Sequence, residues 1–246
     1  MNPHPLDEHL QFDEATHRYT VKGAEYTSVT TLIASLFEAF DSDLIIDRMM
    51  LSENWPKSRY FGMTKDEIKL QWTQNGAVQS NLGTNLHHDI ETYYNGGLVA
   101  NDSVEYGYFL QFVQQFPLKP YRAEWTVFHE EARVAGTVDM LFENEDQTLQ
   151  IYDWKRSKGI EKHSKWFKFG LDPTIEHLPD TNYWHYALQL NMYKYILEEK
   201  YQKKITHMFL LCLHPSKKSF ERIQVKDLHK EVATLFKHRI SSRRTN

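Results

Sequence analysis

The chain has 246 residues, 41% of them hydrophobic, which is enough to bury one sizeable core. Its formal net charge is −4, so the chain lacks the strongly basic balance of proteins that bind nucleic acid through overall charge. Cys212 is the single cysteine, which excludes an intrachain disulfide framework and any cluster that needs four cysteines from this chain.

The N-terminal residues MNPHPLDEHL lack the basic and apolar regions of a secretory signal. No apolar run approaches the length that crosses a membrane. We therefore expect a soluble, intracellular protein with no membrane contact, in a compartment that the sequence does not indicate.

The first third of the chain predicts a hairpin followed by helices. Residues 10–28 contain strand-forming side chains around a Lys-Gly turn, which predicts a β-hairpin. Ser28 and Ser42 stand where the N-caps of two successive helices are expected. Thr64 and Glu67 form a capping-box pattern at the start of a third helix. We expect residues 1–80 to form a hairpin and helical lobe and residues 81–246 to form the main core, the two together making one compact unit.

A further helix is predicted over residues 84–95, ended by the Gly-Gly that follows. Leu86 and Ile90 form its apolar stripe, whereas His87 and Glu91 are four residues apart on another face. A single helical histidine is more often a hydrogen-bonded residue than a metal ligand. The spacing alone therefore does not assign a role to His87.

Two strands joined by a polar turn are predicted within residues 134–158, and each carries an acid near its apolar run. Because side chains alternate along a strand, Asp153 and Lys155 should point to one face and Trp154 to the other. If the two strands are neighbours, Asp139 can meet Asp153 with Lys155 beside them. Such a group is a poor core but a good site for Mg²⁺, which prefers carboxylate oxygens. On the preceding strand, Glu124 either supports this site or lies on a solvated face.

Residues 159–181 predict a long loop in which aromatic side chains alternate with lysines. This composition suits single-stranded nucleic acid, since every base can stack and every phosphate is negative. A solvated loop anchored by its aromatics is an equally good interpretation. The candidates for nucleic-acid binding in and before this loop are Arg156, Lys158, Lys162, Lys165, Trp166 and Lys168.

The clearest helix covers residues 182–201, with Gln189 and Tyr193 on a face separate from its packing stripe. Strands at 205–214 and 219–225 and a C-terminal helix follow. The predicted fold class is α/β, with a mixed central sheet flanked by helices and an N-terminal helical lobe.

Four elements in this order resemble the PD-(D/E)XK nuclease superfamily, and within it the RecB-like branch. That branch includes the RecB nuclease domain and mitochondrial genome maintenance exonuclease. The elements are the histidine of Gly-Thr-Asn-Leu-His87, the acid of Gly-Thr-Val-Asp139, the Asp153-Trp154-Lys155 triplet, and the Gln189/Tyr193 pair. The resemblance covers roughly residues 80 to 215 and implies a restriction-endonuclease-like sheet.

The resemblance also implies roles for these residues. Asp139 and Asp153 would bind Mg²⁺ or Mn²⁺, with the Trp154 carbonyl and His87 completing the protein ligands. Lys155 would orient the attacking water or neutralise charge on the phosphate. Four further residues would assist: Gln189 and Tyr193 would position the strand or the lysine, and Glu91 and Glu124 are candidates for supporting hydrogen bonds.

The expected function is a metal-dependent deoxyribonuclease, with an exonuclease or an end- or flap-processing enzyme on single-stranded DNA ends favoured. The expected setting is DNA repair or recombination, with a helicase or replication protein as a candidate partner. Two alternatives remain: a catalytically silent nucleic-acid-binding protein on the same fold, and an endonuclease. Since Cys212 stands alone, the iron–sulfur cluster of some RecB-like relatives is not expected.

Overall fold

A computed structural model describes residues 2–164 and 167–244 of the chain. The candidate residues Lys165 and Trp166 lie outside the described residues. The chain divides into two compact units, one formed by Met1–Glu38 with Leu86–Asn246 and the other by Ala39–Asn85. This division differs from a boundary at residue 80, because the N-terminal strands extend the main sheet instead of joining the helical lobe.

The main unit is built on an eight-stranded mixed sheet, and this confirms the predicted α/β fold class. The order across the sheet is β1-β2-β3-β5-β6-β7-β8, with β4 paired to β5 off this path. Parallel pairing joins β3 to β5 and β6 to β7, and the other pairs are antiparallel. The strands are β1 (Leu10–Asp13), β2 (Arg18–Val21), β3 (Ala24–Ser28), β4 (Lys119–His129), β5 (Val134–Glu143), β6 (Leu149–Lys155), β7 (Ile205–Cys212) and β8 (Glu221–Gln224).

Six α-helices accompany the strands among the described residues. They are α1 (Val29–Ala34), α2 (Ser42–Met50), α3 (Lys65–Tyr94), α4 (Val104–Gln115), α5 (Asn182–Tyr201) and α6 (His229–Arg244). Short 3₁₀ helices cover Pro5–His9 and Trp55–Lys57. No helix among the described residues has the length and apolarity needed to cross a membrane.

The sheet separates two hydrophobic cores, because alternate side chains of its central strands enter different clusters. Ile151 packs in the larger cluster with α5, while Tyr152 and Trp154 pack in the other with α4 and the C-terminal part of α3. This alternation confirms that Trp154 points away from Asp153 and Lys155. It leaves a small polar group facing α5 inside an otherwise apolar layer.

The open position of the sheet lies along one edge of β5. On this edge, β3 pairs only with Val134 and Ala135, and β6 pairs only with residues 140–143. Residues 136–139 therefore lie between two ladders with no strand partner on that side among the described residues. A gap of this kind exposes backbone and side chains that can bind a ligand instead of a neighbouring strand.

Some predicted elements differ in the structure. Residues 10–28 form three strands instead of one hairpin, since β3 turns back to pair with β2 and continues the sheet. The two helices predicted within residues 64–95 are one helix, α3. The cap of α2 is Asp41, whose carboxylate accepts the Leu44 N–H, and Ser42 is its first residue. Ser28 caps α1 as predicted.

Candidate metal centre

Three possible metal ligands converge beside the gap in β5. His87 of α3, Glu124 of β4 and Asp139 of β5 place one ligand atom each within 4.8 Å of one another. The three side chains come from elements far apart in the sequence, so only the tertiary fold brings them together. A histidine nitrogen and two carboxylates at this spacing form a possible metal site.

The orientation of His87 directs one ring nitrogen at the acids. Its Nε2 lies 2.8 Å from the Trp154 carbonyl oxygen, and because a carbonyl only accepts, Nε2 carries the proton in this contact. The other nitrogen, Nδ1, then presents a lone pair 3.4 Å from Oδ2 of Asp139. A metal-bound histidine commonly donates its second N–H to a backbone carbonyl, so the Trp154 carbonyl orients the ring.

Asp139 is held where the ladder between β5 and β6 ends. The register that pairs Met140 with Tyr152 places Asp139 opposite Asp153. Beyond that pair, the Trp154 N–H donates to the Asp139 carboxylate at 2.9 Å. The ladder between β5 and β6 ends before Trp154, so the Trp154 N–H is available to hold the Asp139 carboxylate in place.

Glu124 faces the same point because β4 is locally distorted. Ala123 pairs with Met140 and Trp125 with Val138, so Glu124 lies opposite Asp139, yet its φ is +43°. A non-glycine residue in this left-handed region costs about 1 kcal/mol or more and persists only where the surroundings impose it. Burial, together with the charge of Asp139 opposite it, raises the pKa of Glu124 to about 9. Glu124 therefore lies in the cluster with His87 and Asp139 and not on a solvated strand face.

Asp153 and Lys155 form a buried ion pair beside these ligands. The lysine Nζ lies 2.7 Å from Oδ2 of Asp153, whose side chain is 2% exposed. Neither carboxylate oxygen accepts a hydrogen bond of normal geometry from the described residues. Burial raises the pKa of Asp153 and outweighs the lowering by Lys155. Burial lowers the pKa of Lys155, but the neighbouring acids reverse this, so the net shift is upward.

Two side chains of helix α5, Gln189 and Tyr193, form a chain of hydrogen bonds that ends at Lys155. Lys155 Nζ donates to the Gln189 side-chain oxygen at 3.3 Å, and the Gln189 amide donates to the Tyr193 hydroxyl at 3.2 Å. Tyr193 in turn packs on the backbone of Gly136, where a Cβ would lie 2.6 Å from the ring. Gln189 thus contacts both Lys155 and Tyr193.

Tyr186 also contacts this lysine, although the sequence reasoning did not single it out. Lys155 Nζ lies 4.6 Å from the centre of the Tyr186 ring. Tyr186 precedes Gln189 by three residues, so both lie on one face of α5. The spacing of three residues from Gln189 is the feature of the sequence that could have predicted Tyr186 near Lys155.

Glu91, the other candidate for a supporting role, makes no hydrogen bond with His87 among the described contacts, which are those to Trp154 and Asp139. Its negative charge contributes to the raised pKa of Glu124, after burial and Asp139. The structure therefore places Glu91 in the electrostatic surroundings of the site.

The basic residues before and within the loop occupy varied environments. The side chain of Arg156 is only 9% exposed, and its Nε donates to Glu105 of α4 at 2.7 Å. Lys168 pairs with Glu38 at 2.7 Å, and Lys162 lies 4.7 Å from the Tyr183 ring centre. Lys158 is exposed.

The residues of the site fit a divalent cation. Glu124, Asp139 and Asp153 would carry three negative charges when ionised. Lys155 balances one of them, so two negative charges would be left without a counter-charge. Nδ1 of His87 and Oδ2 of Asp139 face each other with lone pairs unless a proton or cation lies between them. Burying such a group without a counter-charge is costly.

Cys212, the single cysteine, is buried and donates to the Ser157 carbonyl.

Comparison with known proteins finds similar chains among the solved structures. No family model and no curated protein matches the chain. A solved structure from Eubacterium rectale, named a putative exonuclease, aligns with 12% identity and a TM-score of 0.42, over 65% of each chain. The structure of SSO0001 aligns with 15% identity and a TM-score of 0.31, over 74% of this chain and 68% of the other. The chain thus spans about two thirds of the length of each, and both TM-scores lie below 0.5.

Proposed function

We propose that the chain is a metal-dependent DNA nuclease of the PD-(D/E)XK type, RecB-like in its site residues. The observation that carries this proposal is the convergence of His87, Glu124 and Asp139 beside the buried Asp153–Lys155 pair. A protein that only bound nucleic acid would gain nothing from burying three acids and a lysine together, because the arrangement lowers stability without a bound cation. Carboxylates, imidazole and an ammonium are the groups that phosphodiester hydrolysis uses.

Mg²⁺ or Mn²⁺ would be held by Asp139, Asp153, Glu124 and Nδ1 of His87. Such an ion supplies a more acidic water and neutralises charge on the phosphate. The role of Glu124 as a direct ligand goes beyond the supporting role implied by the resemblance. Its support is the shared 4.8 Å cluster with His87 and Asp139.

Lys155 is the residue that would act on the substrate. An ammonium has three N–H donors; Gln189 accepts from one of them, and Asp153 faces Nζ as an ion pair at 2.7 Å. An N–H that Gln189 does not take can serve a phosphate oxygen or the attacking water, stabilising the charge that develops as the phosphorus accepts a fifth oxygen. Gln189, itself held by Tyr193, restricts the lysine to this position.

Single-stranded DNA ends are the proposed substrate, with the exonuclease or end-processing mode favoured over internal cutting. The loop that leads into α5 exposes Phe167 to 86% and Phe169 to 42%. Exposed aromatic rings can stack on unpaired bases, and Lys158 supplies an exposed charge nearby in sequence. In this proposal the enzyme serves DNA repair or recombination, and a helicase partner would supply the unwound end.

The experiment is digestion of labelled linear single-stranded and duplex DNA, beside a closed single-stranded circle, with Mg²⁺, Mn²⁺ or EDTA. We expect the linear strand to disappear with either metal, the circle to survive, and EDTA to abolish cutting. The position of the label gives the direction of digestion. Cutting of the circle would establish an endonuclease, and binding without cutting in any metal would favour the silent-fold alternative.

Matched variants assign the activity to the site. Asp153→Asn and Lys155→Met should lower the cleavage rate by about 100-fold or more, since each removes a charge that acts in the transition state. Glu199→Gln and Lys237→Met make the same changes at exposed positions of α5 and α6 and should leave the rate unchanged. Equal rates for the site and surface variants, with unchanged circular dichroism, would contradict the assignment.

A further inference from the structure

The ammonium of Lys155 is enclosed from three directions. Asp153 lies 2.7 Å from Nζ, the Gln189 side-chain oxygen lies 3.3 Å from it, and the centre of the Tyr186 ring lies at 4.6 Å. The lysine side chain is 17% exposed. The first of these contacts is an ion pair, the second is a hydrogen bond, and the third is with the face of an aromatic ring.

The contact between Lys155 and Tyr186 follows from the helix geometry of α5. Tyr186 and Gln189 are three residues apart, and Tyr193 follows Gln189 by four, so the three side chains form one row along the helix. Gln189 meets the lysine end-on and also bonds to Tyr193. Tyr186 covers the side of the ammonium that the amide does not reach.

A ring face holds an ammonium without occupying one of its N–H groups. The attraction is electrostatic, between the cation and the negative face of the ring, and it strengthens when water is excluded. A third polar partner would compete with the substrate for the remaining N–H. An aliphatic side chain would provide no attraction, so the flexible lysine stem could reach other positions.

We propose that Tyr186 is a positioning residue that fixes Lys155 through its ring face and leaves one N–H directed at the substrate. This inference deepens the proposed nuclease function and rests on it for the catalytic consequence. The ring, and not the hydroxyl, carries the effect. Phenylalanine at this position therefore retains it, and leucine, of similar bulk but without a π-face, does not.

The first test is steady-state cleavage by Tyr186→Phe and Tyr186→Leu. Tyr186→Leu lowers kcat about tenfold, equal to about 1.4 kcal/mol, and changes KM less than twofold, because the lysine acts in the transition state. Tyr186→Phe keeps the wild-type kcat. Tyr195→Leu is the matched control, since Tyr195 lies on the same helix and packs on Phe236, 4.7 Å away, outside the site. It lowers the melting temperature without lowering kcat.

The second test is independent of nuclease activity. Metal-free protein is labelled briefly with acetic anhydride at one pH, and acetylation of Lys155 is measured by mass spectrometry relative to exposed Lys237. Tyr186→Leu increases the relative labelling of Lys155 several-fold, because the amine is released from the ring, while Tyr186→Phe leaves it at the wild-type level.

The two tests separate the inference from the function on which it rests. If the wild type cleaves no DNA in any metal but the labelling changes as expected, the nuclease proposal fails and the positioning of Lys155 by the ring stands. Equal labelling of Lys155 in the wild type and Tyr186→Leu overturns the inference. It is also overturned if Tyr186→Phe is as impaired as Tyr186→Leu, because the hydroxyl would then carry the effect.

Discussion

The close approach of Tyr193 to Gly136 makes Gly136→Ala a sharp test of how the site is assembled. An added Cβ would lie 2.6 Å from Cε1 of the tyrosine ring and 3.0 Å from its hydroxyl oxygen. Gly136 does not have a positive φ, so alanine suits its backbone and the whole cost arises from this contact. Tyr193 is 3% exposed and packs in the main core, which leaves the ring little room to move away.

The expected loss of stability has two parts. Overpacking a well-packed core by one methyl group costs about 1–3 kcal/mol. Displacing the ring also breaks the 3.2 Å hydrogen bond from Gln189 to Tyr193, worth about 1 kcal/mol. Gly136→Ala should therefore lower the free energy of unfolding by about 2–4 kcal/mol. Cleavage should also slow, because Gln189 would no longer hold Lys155 in place.

Urea unfolding followed by tryptophan fluorescence measures this loss. Gly76→Ala is the control, since no atom lies within 4 Å of the added Cβ in α3, and alanine should stabilise the helix by about 0.5–1 kcal/mol. In a double-mutant cycle, Gly136→Ala should cost at least 1 kcal/mol less when Tyr193 is already leucine. A loss below 0.5 kcal/mol, or strict additivity, would refute the packing argument.

Three further predictions follow from buried charges. Glu124→Gln should stabilise the protein in EDTA at pH 8 by on the order of 2 kcal/mol, since burial beside other acids raises the pKa of Glu124 to about 9. The same change should abolish the rise in melting temperature with Mn²⁺. A destabilised variant that still responds to Mn²⁺ would contradict this. His129 accepts the Ala132 N–H through Nδ1, and burial lowers its pKa to about 4, so its contribution to stability is present above pH 6.5 and is lost as the pH falls towards 4. Between pH 7.5 and 5.0 the wild type should lose about 2 kcal/mol more than His129→Asn in urea unfolding, and equal losses would place the titration elsewhere. Glu105→Gln should cost about 3 kcal/mol, because it removes the charge of the carboxylate that lies 2.7 Å from Arg156 Nε in a pair whose side chains are only 9% and 10% exposed, and a loss under 1 kcal/mol in the same assay would rule out a strong pair.

Local patterns in the sequence were sufficient to predict how Asp139, Asp153 and Lys155 lie relative to one another. Alternation along β6 places Asp153 and Lys155 on one face, and their 2.7 Å ion pair confirms this. The polar turn between β5 and β6 predicts antiparallel neighbours, and the observed register brings Asp139 opposite Asp153. The bounds of α5 were predicted at 182–201 because its apolar stripe is long and its ends are marked.

Local patterns gave wrong predictions where helix cooperativity or pairing with a distant strand determined the structure. Two separate helices are predicted within residues 64–95, but α3 runs without a break through Gly76 and Gly83. Each glycine costs only about 1 kcal/mol in a helix, which the hydrogen bonds and packing on either side can offset. Likewise, β3 pairs in parallel with β5 across more than a hundred residues, and no local turn specifies such a pairing.

The sequence by itself determined the fold class, the strand that carries Asp153 and Lys155, and the helix that carries Gln189, because these depend on periodicities of two and 3.6 residues. Only the tertiary structure shows that Glu124, at φ +43°, lies in the candidate metal centre and that Arg156 pairs with Glu105. Periodicity shows which face a side chain takes but not which distant element lies opposite that face. That choice depends on the packing of β4, α3 and α4 around one sheet, where burial of the whole core outweighs the cost of a strained or charged residue.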